Sequence, residues 1–145
     1  MRVVLDTNVL VSGLARSTGA PGRVIEAWRA GEFELVVSDA LLDEASRVFA
    51  YPKVRALLDR GGITVAMANE FLEIIRFKAI TVATTGVAVP VIPRDAGDLH
   101  VVQAFVAAGA AFLVTGDRRD LLSLGMPGVV GVTDFERRLA ALRFR

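Results

Sequence analysis

VVLDTN, at residues 3–8, is the stretch of the sequence that decides the fold. It opens with an apolar run, rich in β-branched side chains, that stops at Asp6. A run that is apolar at every position is typical of a parallel strand buried on both faces. A similar run, Phe33–Val37, ends at Ser38. Both runs therefore predict strands of one buried parallel sheet.

The rest of the chain alternates strands with helices. Apolar runs predict further strands at Ala79–Val82, Ala111–Thr115 and Val129–Val132. Helical periodicity predicts helices at Pro21–Ala30, Ala40–Ala50, Thr64–Lys78, Asp98–Ala108 and Phe135–Leu142. Residues 84–93 read as a loop or an edge strand. This alternation indicates an α/β layer fold with a mainly parallel sheet.

Length and composition restrict the class of protein. The chain has 145 residues, the size of one ordinary domain, so residues 1–145 are predicted to form a single domain. It has no cysteine, which excludes disulfides and thiolate metal sites and is consistent with a reducing cytoplasm. The longest apolar stretch, Val101–Val114, contains Gln103 and is shorter than the ~18 residues of a membrane span, so no membrane segment is expected.

The charge balance gives only weak evidence for nucleic-acid binding. The formal net charge is +1, but all positive residues except Lys53 and Lys78 are arginines, which bind phosphate in a bidentate manner. A GC-rich genome would favour arginine equally. The C-terminal arginines 137, 138, 143 and 145 fit either an RNA backbone contact or a solvated helix end.

Two aspartates come just after predicted strands. Asp6 comes directly after the first strand and Asp117 just after the fourth. Ligands of open α/β sheets bind beyond the carboxyl ends of the strands, where the winding direction reverses. If these two strands are adjacent, Asp6 and Asp117 meet in that crevice.

Glu44 and Asp98 lie on the apolar faces of predicted helices. Glu44 follows Leu41 by three residues and precedes Val48 by four, whereas Asp43 is spaced to pair with Arg47 in solvent. Asp98 similarly precedes the buried stripe of its own helix. Each acid alone also suits a turn or a helix start. Several buried carboxylates together call for a shared cation, and Mg²⁺ is the natural one for hydrolysing a phosphodiester.

Four segments of the chain resemble the motifs of PIN-domain proteins, in particular the toxins of prokaryotic toxin-antitoxin pairs. They are residues 3–10, 38–44, 94–98 and 114–122, and their order and spacing are intact over nearly the full length. The resemblance implies a three-layer α/β/α fold with about five strands. It also implies an endoribonuclease that uses Mg²⁺ or Mn²⁺, forms a homodimer and is blocked by a cognate antitoxin protein.

The acids of that family map onto Asp6, Glu44, Asp98 and Asp117, which we expect to be the metal ligands and catalytic residues. Auxiliary roles fall by position to five more residues: Thr7, Asn8, Asp95, Thr115 and Asp120. Gly97 stands where relatives often carry another acid, so Asp95 remains an alternative to Asp98. Asp120 joins the site or caps the next helix. The only histidine, His100, is expected to be a surface or satisfied histidine rather than a catalytic one.

Other readings of the sequence are less consistent with these residues. A haloacid-dehalogenase-type phosphatase needs a second acid where Asn8 stands, and a receiver domain needs paired acids after its first strand. The dinucleotide and P-loop glycine patterns are absent. Two alternatives remain: a DNA-directed nuclease with the same site, and a catalytically silent module that acts through its partner.

Overall fold

The computed structural model describes residues 1–116 and 119–144, which form five strands and seven α-helices. The strands are β1 (Arg2–Leu5), β2 (Glu34–Val37), β3 (Ile80–Thr81), β4 (Phe112–Thr115) and β5 (Val129–Gly131). The helices are α1 (Thr7–Ala15), α2 (Ala20–Arg29), α3 (Asp39–Phe49), α4 (Pro52–Arg60), α5 (Val65–Lys78), α6 (Leu99–Ala107) and α7 (Val132–Arg143). Short 3-10 turns cover Ala96–Asp98 and Leu122–Leu124.

β1 lies at the centre of the sheet, whose strand order is β3-β2-β1-β4-β5 and whose pairs are all parallel. Val3 of β1 lies opposite Leu35 of β2 and Phe112 of β4. The chain places β2 and β3 on one side of β1 and then returns to place β4 and β5 on the other. The winding therefore reverses between β1 and β4, and these two strands are neighbours, which is the condition for residues at their carboxyl ends to share one crevice.

The central strand is covered on both faces. Val3 and Val4 have no exposed surface and Leu5 is 1% exposed, although successive side chains of a strand point to opposite faces. Helices must therefore pack on each side of the sheet, and α6 contacts β1, β2 and β4 while α7 contacts β4 and β5. The predicted three-layer α/β/α fold is confirmed. No helix in the described part of the chain is long and apolar enough to cross a membrane.

Two helices, α1 and α4, were missed by the sequence analysis. The Asp6 side chain accepts a hydrogen bond from the Thr7 amide, so the chain passes directly from β1 into α1. Valines at 9 and 11 weaken the helical signal of α1, because β-branched side chains lose rotamer freedom in a helix. In α4 Leu58 is the only fully buried residue, so its apolar periodicity is faint.

The other boundaries agree with the predictions to within about three residues, and the differences are local. The predicted helix at Asp98–Ala108 begins instead with the 3-10 turn at Ala96–Asp98, and α6 starts at Leu99. Ser38 caps α3 by accepting a hydrogen bond from the Leu41 amide at 3.1 Å. Residues 84–93 form a loop and contain no strand.

Gly22 permits the close approach of α2 to the turn that follows α1. A Cβ atom at this position would lie 2.3 Å from the Ser17 carbonyl oxygen and 2.6 Å from that of Arg16. We expect Gly22→Ala to lower the free energy of unfolding by about 1–3 kcal/mol, because backbone atoms must move to admit the methyl group. Thermal and urea denaturation measure this change.

Gly131→Ala is the matched control. Gly131 has φ −76°, and a Cβ atom at this position would meet no other part of the chain within 4 Å. Gly131 is also the N-cap of α7, where alanine is less favourable than glycine, while alanine restricts the unfolded chain more; the two effects oppose each other, so stability should change by less than ~1 kcal/mol. Equal stability of the Gly22→Ala protein and the parent would show that α1 and α2 are not packed as described.

Candidate active site

Asp6 lies at the point where β1 ends beside β4. Its backbone amide donates to the Val114 carbonyl at 2.9 Å, and its side chain is only 6% exposed. One carboxylate oxygen, Oδ1, accepts from the Thr7 amide at 2.8 Å, and Oδ2 accepts from the Thr115 hydroxyl at 2.8 Å. The carboxylate is thus fixed by the start of α1 on one side and by the last residue of β4 on the other.

Glu44 reaches the same region from α3. Its Oε2 accepts a hydrogen bond from the Thr7 hydroxyl at 2.8 Å and lies 3.2 Å from His100 Nε2. The hydrogen bond from His100, followed by that from Thr7, lowers the pKa of Glu44 against the opposing effect of burial. The carboxylate is therefore held in its charged form and in a defined orientation.

The neighbouring acid Asp43 behaves differently. Glu44 is half-buried while Asp43 is exposed, as the helix-face argument predicts. The predicted pair between Asp43 and Arg47 is wrong: the ion pairs among the described residues do not include it. The positive charge of Arg47 instead helps to lower the pKa of Glu44.

His100 is a site residue that the sequence analysis missed. Only 19% of its side chain is exposed, and its Nδ1 is buried without a hydrogen-bond partner among the described residues. The side chain is largely buried and its Nε2 contacts Glu44, so the expectation of a surface or satisfied histidine is confirmed only for that nitrogen. A half-buried carboxylate near the only histidine gave no recognisable signal in the sequence.

A cavity of about 450 Å³ joins these side chains. Three of the four predicted acids line it, and they come from the end of β1, from α3 and from the turn before α6. The lining residues are Asp6, Thr7, Asn8, Val11, Ser12, Glu44, Val48, Val54 and Asp98. The fourth predicted acid, Asp117, lies outside the described residues. The auxiliary residues Thr7 and Asn8 share the cavity.

Asp120 supports the turn that carries Asp98. It is 6% exposed, and its two carboxylate oxygens accept from the backbone amides of Arg94 at 2.9 Å and Asp95 at 3.2 Å. A hydrogen bond with the Asp98 side chain is the main cause that lowers the pKa of Asp120, and the two amides add to it. Asp120 therefore joins the site through Asp98 and does not simply cap a helix.

The remaining auxiliary residues have distinct positions. Asp95 is exposed and caps the 3-10 turn by accepting from the Gly97 amide at 2.8 Å, so of Asp95 and Asp98 it is Asp98 that lines the cavity. Asn8 accepts from the Gly116 amide at 3.2 Å and so holds the chain where it leaves β4. Thr115 is fully buried and is fixed by its bond to Asp6.

The donor atoms at the cavity suit a hard divalent cation. The three acids offer carboxylate oxygens, with hydroxyl and amide oxygens beside them, and the chain has no cysteine thiolate. Among residues 1–116 and 119–144, no three acidic or imidazole groups converge tightly enough to hold an ion by themselves. Magnesium retains several waters and needs few protein ligands, so this oxygen set is compatible with it.

Asp120→Asn tests the support of the Asp98 turn. Asparagine keeps one acceptor oxygen but presents an NH₂ group to the second backbone amide, so one buried hydrogen bond is lost. We expect the free energy of unfolding to fall by about 1–3 kcal/mol. Asp95→Asn keeps its single acceptor and should change stability by less than ~0.5 kcal/mol. Equal denaturation midpoints for the two variants would contradict the assigned role of Asp120.

Comparison with known proteins agrees with this geometry. A family model described as PIN domain matches residues 2–119, which include the ends of β1 and β4 and the helix that carries Glu44. A search of the curated proteins finds no match. PIN domains are nucleases that act on nucleic acids with the help of divalent metal ions. Since the match covers well over half of its length, the chain belongs to the PIN domain family.

Proposed function

We propose that the protein is an endoribonuclease that hydrolyses RNA phosphodiester bonds with Mg²⁺ or Mn²⁺ held by Asp6, Glu44, Asp98 and Asp117. The observation that supports this proposal is that three of these acids, from three separate elements, line one cavity at the switch point of the sheet. We include Asp117 as the fourth ligand because of its position in the sequence, directly after Gly116, whose amide donates to Asn8.

The chemistry requires a nucleophile and stabilisation of the charge that develops on the phosphate. A bound divalent ion supplies both, by activating water and by acting as a Lewis acid. Other residues of the chain orient the acids that would hold the ion. Thr115 and the Thr7 amide fix Asp6, the Thr7 hydroxyl and His100 fix Glu44, and Asp120 fixes Asp98. Such outer contacts commonly tune a metal site.

The wider biological role is also a proposal. We propose that residues 1–145 form one nuclease domain, working in the cytoplasm as the toxin of a toxin-antitoxin pair, with a cognate antitoxin protein that blocks the cavity. The support is the resemblance of the four acidic motifs and the cavity that opens to the surface beside them.

A homodimer is expected from the same resemblance and from apolar side chains left at the surface. Phe77 and Phe144 are each 89% exposed and Ile92 is 76% exposed. Their burial against a second copy would remove apolar area from water. Light scattering at micromolar concentration should give the mass of two chains, and a mass of one chain would contradict this expectation.

Glu44→Gln should abolish metal-dependent RNA cleavage, whereas Asp43→Asn should leave it nearly unchanged. Glutamine retains the size of glutamate but removes the charge that a cation needs, while Asp43 is exposed and makes no ion pair with Arg47. The assay follows cleavage of labelled RNA and of single-stranded DNA with Mg²⁺ or Mn²⁺, with and without chelator.

The metal-induced rise in melting temperature separates binding from catalysis. The parent protein and Asp43→Asn should both be stabilised by millimolar Mn²⁺, and Glu44→Gln much less, because a ligand of the native state stabilises it by mass action. Full activity of Glu44→Gln would show that Glu44 is not needed for cleavage and is not a metal ligand. Cleavage of DNA in preference to RNA would assign the alternative substrate, and no cleavage of either would favour a silent module.

A further inference from the structure

A second cavity of about 570 Å³ lies between the ends of α1 and α4. Arginines and hydroxyl groups line it, and no carboxylate does. The lining residues are Ala15, Arg16, Ser17, Thr18, Gly19, Leu57, Arg60 and Gly61. Its chemistry is thus opposite to that of the acidic cavity.

Arg16 and Arg60 are both exposed and both contribute to the lining of this second cavity. Within the described residues neither takes part in an ion pair, although Asp59 is next in sequence to Arg60. Asp59 is bound instead by Arg55 at 3.1 Å. Two exposed positive charges therefore face one cavity without neutralisation.

The walls of this second cavity are held in place by backbone contacts. The helix ends touch closely enough that a Cβ atom at Gly61 would lie 2.4 Å from the Ala15 carbonyl oxygen. Arg23 Nη1 donates to the Thr18 carbonyl at 2.7 Å and so fixes the turn between α1 and α2. The two arginines consequently project from adjoining, well-packed elements.

The two cavities lie along the same helix faces. On α1, Asn8, Val11 and Ser12 line the acidic cavity, and Ala15 and Arg16 line the second one. On α4, Val54 lines the first cavity, and Leu57 and Arg60 line the second. Spacings of three and four residues keep these side chains on one face of each helix. The path from Asn8 to Arg16 is about 12 Å at 1.5 Å per residue.

We propose that the second cavity binds backbone phosphate of the substrate strand, and that the strand runs along the α1–α4 groove from the carboxylates to Arg16 and Arg60. This second proposal rests on the proposed function, and it specifies how a single strand of the RNA substrate would lie on the protein. Guanidinium groups bind phosphate through paired hydrogen bonds, and Ser17 and Thr18 add hydroxyl donors. Two of the C-terminal arginines are less suited, since Arg138 pairs with Asp134 and Arg143 with Glu32.

The test compares two double variants with equal loss of charge. Arg16→Gln with Arg60→Gln removes the unpaired arginines, and Arg29→Gln with Arg76→Gln removes two that are paired with Glu26 and Asp39. Binding of a fluorescein-labelled oligouridylate is measured by anisotropy in chelator, so that no strand is cut, over a series of salt concentrations.

The slope of log K against log salt is negative, and the first double variant should reduce its magnitude by about 1.4. Each phosphate contact on a single strand contributes about 0.7 to that magnitude. The control pair should leave the slope unchanged. Ser17→Glu, which places an acid in the cavity, should weaken binding without altering the melting temperature. All variants should retain the stabilisation by Mn²⁺, which depends on the acidic cavity.

Equal slopes for the first variant and the parent would overturn the phosphate site, and so would equal losses in both double variants. Competition by a polyglutamate peptide as strong as that by unlabelled oligouridylate would also overturn it, in favour of an acidic protein partner. If the parent cleaves RNA but the Arg16 and Arg60 double variant has the same slope as the parent, the phosphate site is rejected and the nuclease proposal is kept. An arginine-dependent slope without any cleavage would reject the nuclease and keep the phosphate site.

Discussion

The two hydrogen bonds accepted by the Asp6 carboxylate connect the parts on which the site depends. One comes from the first amide of α1 and the other from the Thr115 hydroxyl at the end of β4. They join the central strand, the helix that follows it and the strand across the switch point. Thr7 extends the connection to α3 through Glu44. If this carboxylate were lost, a helix cap, a strand contact and the position of Glu44 would be affected together.

Carboxylates that converge repel one another and lose hydration, so each needs compensation. The structure supplies it to Asp6 with the Thr7 amide and the Thr115 hydroxyl, and to Glu44 with the Thr7 hydroxyl and His100. Asp98 forms a hydrogen bond with Asp120, which requires that the two carboxyl groups share a proton. These contacts orient the acids by means of the protein's own groups. Asp120 is itself held by two backbone amides of the segment before Asp98, so this buried fifth acid helps to fix the position of Asp98.

The sheet and the helix faces could be predicted from the sequence because they depend on periodicity. The run before Asp6 predicted the central strand, and the spacing of Glu44 from Leu41 and Val48 predicted which face it takes. Three features could not be predicted. Helix α4 buries too little apolar surface, α1 is rich in β-branched residues, and His100 meets Glu44 only where α6 packs against α3. Each depends on tertiary contacts or on local winding that composition does not encode.

Helix α1 separates a negative from a positive charge along its axis. A helix favours negative charge at its N-terminus and positive charge at its C-terminus, and α1 has Asp6 at the first end and Arg16 at the second. Both residues therefore suit the stability of the helix before any ligand is considered. The same placement puts an acidic cavity, attractive to cations, at one end of the helix and a basic cavity, attractive to phosphate, at the other. A net charge of only +1 is compatible with nucleic-acid binding for this reason, because the two signs are separated along about 12 Å of helix α1 rather than averaged over the surface.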